Sequence, residues 1–268
     1  MINHIMSSES EPQTIETYPG AQAVSRAIAL LKAFDDAHAE WSLAEISDYV
    51  NLNRATTHRL LAALESEGLI QRNTTGHYRL GHELIGLGGC AMRASELREA
   101  ARPELETLAR ETGETAVLEV LAKRPTLIID EVSDRDPLGI SQDIGARLPL
   151  HATSTGKLLL AYRPAAEIDE HLQGALTAVT PRTIIDPATL RAQLDEIVAR
   201  GYAVADGELD VGFIAVAAPV YDAGRTVVAA VSVGGPALRI SPERRPEIVA
   251  SLQVTARRIS RRLGYRPG

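Results

Sequence analysis

The run Asn51–Gly68, NLNRATTHRLLAALESEG, limits what this chain can fold into more than any other stretch. At about 100° per residue, Thr57, Leu60, Leu61 and Leu64 share one helical face, while Arg54, Ala55, His58, Arg59 and Ala62 share the opposite one. The spacing predicts a helix of about four turns with one dry side. Asn53 stands where its side-chain oxygen accepts from first-turn N–H groups, and Gly68 where a helix exit needs a left-handed residue. The charges run against the helix dipole: Arg54, His58 and Arg59 come early, Glu65 and Glu67 last. A helix that only covers a core is expected to show the reverse bias. One that enters DNA needs cations at its leading end, where phosphates and base edges are met. Taken alone, the stretch fits both an amphipathic surface helix and a DNA-contacting one.

Its neighbours favour DNA. Val24, Ile28 and Leu31, extended by Ala27 and Phe34, predict a first amphipathic helix ending near Asp35. Ser42-x-x-Glu45 has capping-box spacing ahead of Ile46, Tyr49 and Val50, which predicts a short second helix over Leu43–Val50. The turn Asn51-Leu52-Asn53 leads straight into the third helix, the arrangement of a helix-turn-helix. Leu69–Arg72 and His77–Leu80, joined by Asn73-Thr74-Thr75-Gly76, predict a hairpin that forms a wing. Arg72, His77 and Arg79 give the wing positive charge beside a DNA backbone.

Composition narrows the rest. The net charge of -7 excludes blanket binding to nucleic acid or anionic membrane, so any DNA contact must come from a local patch. Cys90 is the single cysteine, which excludes an intrachain disulfide and a cysteine-based zinc site within one chain. No apolar run reaches the ~18 residues of a membrane span. The first twenty residues carry neither a basic start nor an apolar signal core, and they predict a polar, disordered tail on a cytoplasmic protein.

Further on, Glu83–Arg98 predicts an amphipathic helix whose Gly86, Gly88 and Gly89 allow either bending or close packing. A helix over Pro103–Thr112 follows. Strands are predicted at 116–121, 126–132, 138–142, 202–205, 213–220 and 226–233, and helices at 153–162, 165–172, 187–201 and 242–263. Hairpins with flanking helices predict an α/β or α+β domain built on one sheet.

AVSRAIALLKAF, SLAEISDYV, RATTHRLLAALESEGLI and GHYRLG, followed by LPLHATSTGKLLLA, DGELDVGFIAVAAPVYD and VVAAVSVGGP, resemble the IclR family of bacterial transcriptional regulators. The resemblance runs from Ala21 to about Gly264. It implies a winged helix-turn-helix domain over 21–81, a linker helix over 82–100 and a GAF-like or PAS-like effector and oligomerisation domain over 101–268. The expected partners are a pseudo-palindromic double-stranded operator, a small organic acid and further copies of the chain, as a dimer or dimer of dimers; no cofactor, metal or membrane is expected. Arg54, Ala55, Thr56, His58 and Arg59 are expected in the groove, with Arg72, His77 and Arg79 on the backbone.

The run His151-Ala-Thr-Ser-Thr-Gly-Lys157 opens a helix whose free N–H groups serve either as simple caps or as an anion site. It is not a phosphate-binding P-loop, because the glycine spacing and the Ser/Thr after Lys157 are missing. The resemblance places an effector pocket on Leu148, Ser154, Thr155, Ala205 or Asp206, Phe213, Ala215, Ser232 and Gly234. Ala215 and Gly234 stand where other members carry Cys and Ser, which implies lost polar anchors and gained space. A bulkier, aromatic or longer apolar acid is therefore expected, its carboxylate on Ser154, Thr155 and Ser232 and its body on Phe213, unless Phe213 is simply core. Arg257, Arg258, Arg261, Arg262 and Arg266 fit a solvated helix end better than a second DNA contact. A hydrolase built on His151, Ser154, Asp206 and Glu208 is disfavoured by the absence of G-x-S-x-G and H-E-x-x-H. A DNA-binding protein whose second domain only oligomerises is the other alternative.

Overall fold

The structure, a computed structural model, describes residues 20–35, 37–123, 125–133 and 144–267. The chain divides into two compact units, Met1–Ala94 and Ser95–Gly268.

In the first unit, α1 (Gln22–Lys32) precedes α2 (Leu43–Tyr49) and α3 (Arg54–Ser66). The capping box at Ser42 closes both ways: Glu45 N–H donates to Ser42 Oγ at 3.3 Å, and Ser42 N–H donates to Glu45 Oε2 at 2.9 Å. Thr56 N–H donates to Asn53 Oδ1 at 2.9 Å, which starts α3. Gly68, at φ 70°, ends it, with Gly68 N–H donating to Glu65 O and Leu69 N–H to Leu64 O. Thr57, Leu61 and Leu64 are buried in a core with Leu30, Ile46, Val50, Trp41 and Tyr78. β1 (Ile70–Arg72) and β2 (Tyr78–Leu80) pair as the hairpin, and Trp41 bridges to Tyr78 beside it.

The expected stripe on α1 is corrected in part: Ala27, Leu31 and Phe34 pack against the core, but Val24 and Ile28 do not. Val24 and Ile28 are 59% and 45% exposed, and the buried side is Ala29 and Leu30, continued by Ala33. Apolar residues occupy two adjoining faces of α1; packing within this unit centres on Leu30 and Ala33, with Ala27, Leu31 and Phe34 at its edge.

The helix expected over Glu83–Arg98 is corrected as well. α4 (Glu83–Arg93) stops at Arg93, and α5 (Glu96–Thr112) starts afresh. The cause is local: Ser95 Oγ accepts from Arg98 N–H at 3.3 Å and caps a new helix, while α4 buries no residue that would hold it in register. α5 then runs through Pro103, where a start was expected, and ends at Gly113 in the left-handed region.

In the second unit, β3 (Thr115–Leu121), β4 (Thr126–Val132) and β5 (Arg147–Leu148) lead to α6 (Ser154–Ala161), α7 (Ala165–Gln173) and α8 (Pro187–Arg200). β6 (Ala203–Asp206), β7 (Phe213–Tyr221), β8 (Val227–Pro236) and α9 (Arg245–Arg262) complete it. The six strands form one antiparallel sheet in the order β5-β4-β3-β8-β7-β6. Strand alternation sends Leu118, Val216 and Val231 to one face, where Leu105, Leu108, Leu252 and Ile259 of α5 and α9 cover them. Ala203, Ala217 and Ala230 go to the other, under Leu158, Leu190, Leu194 and Ile197 of α6 and α8. The result is a mixed α/β, three-layer domain. The strand expected at 138–142 lies outside the described residues.

Candidate functional site

α3 leads with its cations. Arg54, Ala55, His58, Arg59 and Ala62 are exposed, Thr56 is half-buried and Thr57 is buried. No acid stands in the first turn, and among the described residues neither Arg54 nor Arg59 pairs with a carboxylate. The Arg54 guanidinium, at the positive end of the helix, is repelled by the dipole, and Arg59, in the second turn, has no partner there among the described residues, so the helix itself gains nothing from either. On the wing, Asn73 Oδ1 accepts from Thr75 N–H and His77 N–H and shapes the turn. Arg72 lies over the Tyr78 ring at 5.4 Å and donates to Gly76 O, which stiffens it along the hairpin. Arg79 is exposed and donates to Gln71 Oε1 at 3.3 Å; His77 is half-buried beside Thr75 Oγ1.

In the second unit a cavity of about 40 Å³ lies between the sheet and the start of α6. Its floor follows from strand register. Ala205 is opposite Ala215, Ala215 opposite Gly234, and Gly234 opposite Thr115, a row of small residues across four strands. The next rows bring Ser232 opposite Val117 and Ala230 opposite Glu119. Leu148 and Leu209 form sides, and Thr153, Ser154 and Thr155 form the roof. The roof is capped: Thr153 Oγ1 accepts from Gly156 N–H at 3.0 Å. The helix comes so close to the preceding chain that a Cβ on Gly156 would sit 2.5 Å from Leu150 Cα. As first-turn residues, Ser154 and Thr155 have N–H groups without an intrahelical acceptor.

Lys157 pins α6 from behind. It is fully buried, and its Nζ donates to Glu208 Oε1 and Oε2 at 2.6 and 2.7 Å, to Gln193 Oε1 at 2.8 Å and to Val204 O at 2.9 Å. Burial pushes the ammonium down from its ordinary value while Glu208 holds it up.

Of the eight residues expected at the effector pocket, Leu148, Ser154, Thr155, Phe213, Ala215, Ser232 and Gly234 line this cavity, as does Ala205. Asp206 does not, which corrects the expectation. Strand alternation turns it away from its neighbour Ala205, and it binds Arg182 at 2.7 Å and Arg245 at 3.2 Å. The acid that reaches the cavity from the same β6–β7 connection is Asp210. The space expected at Gly234 is also taken: an added Cβ there would meet Phe213 Cζ at 2.8 Å. Phe213 therefore fills the room a missing side chain leaves.

Sequence reasoning missed Thr115, Val117 and Glu119 of β3. Glu119 is 2% exposed, and its Oε2 has no hydrogen-bond partner. Burial holds this carboxyl above its ordinary value, against hydrogen bonds from Thr126 and Thr155. An acid at an inward position of an otherwise apolar strand is the signal that was there to read.

The hydrolase arrangement does not assemble. The His151 ring nitrogen lies 2.8 Å from Thr177 O, Asp206 is held by arginines and Glu208 by Lys157. On α9, Arg258 and Arg262 bridge to Glu104 of α5, so these two cations hold the fold.

Residues 23–74 match the family described as the IclR helix-turn-helix domain, and residues 90–261 the one described as bacterial transcriptional regulator IclR C-terminal. The chain is 37% identical to the glycerol operon regulatory protein of Streptomyces coelicolor over 91% of its own length and 96% of the relative's. It is similar to the solved IclR transcriptional regulator of Alicyclobacillus acidocaldarius, with TM-score 0.79, 29% identity and coverage of 93% and 100% of the two chains. It is also similar to an IclR homologue from Microbacterium hydrocarbonoxydans solved in complex with 4-hydroxybenzoate, with TM-score 0.74, 29% identity and coverage of 90% and 98%.

Proposed function

Because the chain belongs to the IclR family of transcriptional regulators, with a DNA-binding helix-turn-helix followed by an effector domain, we propose that it controls a catabolic operon in response to a small organic carboxylate bound in the cavity under α6. The observation that carries this reading is the convergence of Ser154, Thr155 and Ser232 on one cavity at a helix N-terminus. The carboxylate sits on the first-turn N–H groups and the hydroxyls of Ser154 and Ser232. Its body lies along Ala205, Ala215 and Leu148. The cavity as it stands is small, about 40 Å³, so an aromatic acid requires the Phe213 ring to swing off Gly234. The complex of a similar protein with 4-hydroxybenzoate supports the aromatic class for this chain.

On the output side, Arg54, Ala55, Thr56, His58 and Arg59 meet the major groove, and Arg72, His77 and Arg79 meet the phosphates beside it. Two copies place two α3 helices on the half-sites of a pseudo-palindrome, and two such dimers give a tetramer. The exposed apolar side chains of Val24, Ile28, Ile85 and Leu87 support an interface between copies in this unit. A thermal-shift series with pyruvate, glyoxylate, benzoate and 4-hydroxybenzoate tests the effector class. The expected result is stabilisation by at least one aromatic acid; stabilisation by pyruvate or glyoxylate alone removes the aromatic class, and no response to any acid removes the carboxylate.

A further inference from the structure

The cavity has an electrostatic oddity. Among the described residues its walls carry two carboxyl groups, Glu119 and Asp210, and no lysine or arginine. A pocket that takes an organic acid would be expected to offer a cation. The α6 terminus offers only the partial positive charge of its free N–H groups.

We propose that Glu119 is the specificity-determining residue of this cavity: its buried carboxyl group, whose Oε2 has no hydrogen-bond partner among the described residues, turns to the ligand and donates a hydrogen bond to one of its oxygens, so that the site takes carboxylate, carbonyl or hydroxyl groups and rejects ammonium groups. The proposal rests on the effector-cavity reading and names what selects within it.

Geometry comes first. Glu119 lies on β3, on the same face as Thr115 and Val117, and all three line the cavity. Thr155, in the roof, and Thr126, on β4, hydrogen-bond to its carboxyl group, which orients it and leaves Oε2 over. A buried carboxylate oxygen without a donor is costly, whereas a carboxylic O–H needs one acceptor. Among the described residues no neighbour supplies a compensating charge. On α6 the only titratable group is Lys157, which is spent on Glu208. β4 carries Asp130, held by Arg98 and Arg102, and Glu131; β5 carries the exposed Arg147; β8 carries none. Asp210 stands on the cavity wall and adds negative charge. Burial then raises Glu119 above its ordinary value and so favours its neutral form, with no charged group among the described residues contributing to the shift. A neutral acid pairs with a carboxylate through one shared proton, without placing two negative charges side by side. Positive charge is disfavoured there, because the α6 N-terminus points into the same space.

The test has two arms. Infrared difference spectra of wild type and Glu119→Gln across pH read the carbonyl stretch of a protonated carboxyl group. The expected result is such a band in the wild type at neutral pH, absent in the variant; its absence in the wild type overturns the proposal. Titration calorimetry then uses benzoate, pyruvate, glycerol and benzylamine. For an acid that binds, wild-type affinity falls about tenfold per pH unit above the midpoint of the infrared band, while Glu119→Gln, which keeps a donor, binds within about threefold at every pH. Benzylamine binding to the wild type and lost in Glu119→Gln overturns the proposal. Binding of glycerol but of neither acid overturns the carboxylate reading and leaves the donor role of Glu119 standing. If no probe binds, the infrared titration alone decides.

Discussion

Arg59 and Glu119 show how much one side chain's surroundings decide. Arg59 is exposed, unpaired among the described residues and set in the middle of its helix, so its contribution lies outside the fold. Arg59→Ala is expected to leave the melting temperature unchanged and to weaken operator binding by ~1–3 kcal/mol; equal affinities in a gel-shift titration remove it from the interface. Glu119 is the opposite case, a group whose burial is costly to the fold. Below its ordinary value of 4.5 both folded and unfolded chains keep the proton. As pH rises past that value the unfolded chain ionises first, and the folded protein loses relative stability until its own raised midpoint is passed. Glu119→Gln lacks this loss. Denaturation of the two proteins side by side is expected to show the variant's advantage growing with pH and then levelling off; a gap independent of pH contradicts a raised carboxyl.

α6 is the element on which the cavity depends. Its start forms the roof, and Lys157, three residues on from Ser154, ties it to β6, α8 and the β6–β7 connection. Removing the ammonium strands a buried carboxylate. Lys157→Met is expected to cost ~3–5 kcal/mol in urea denaturation, with the pair Lys157→Met and Glu208→Gln recovering most of it; no recovery in the double variant means Lys157 acts through packing instead. The elements themselves were legible in the sequence to very different degrees. α2, α3 and the wing were readable because their signals are local: Ser42 with Glu45, Asn53, Gly68 and the Asn73–Gly76 turn each act within a few residues. The choice between the two apolar sides of α1 was not, since the packing of neighbouring helices makes it. The break at Ser95 was carried by a single capping hydroxyl inside an otherwise helical pattern. The residues of the α6 roof and the β7–β8 floor were identified through the family resemblance. Of the β3 wall only Glu119, an acid in an apolar strand, was readable; that residues 115–119 pair with 230–234 is a long-range event that no spacing announces. Ala205 against Asp206 turned on one residue of strand alternation, and Asp210 lies beyond β6, in the connection to β7.

At the scale of the whole molecule, a regulator needs its two compact units to share one equilibrium. A ligand changes operator affinity only by binding the DNA-competent and incompetent arrangements unequally. Both ends are built for this in the proposed reading, with unpaired cations leading α3 in one unit and an oxygen-selecting cavity in the other. The short segment Ala94–Ser95, between the end of α4 and the start of α5, is where the two units meet along the chain. The most direct measurement is fluorescence anisotropy of the whole chain on a DNA duplex selected by it from a random pool, with and without an acid that stabilises it in the thermal-shift series. The expected result is an operator affinity that changes at least about tenfold with the acid, a coupling of about 1.4 kcal/mol, and that no longer responds when Ser154 and Ser232 are both replaced by alanine. An affinity that is the same with and without every stabilising acid contradicts a ligand-responsive regulator.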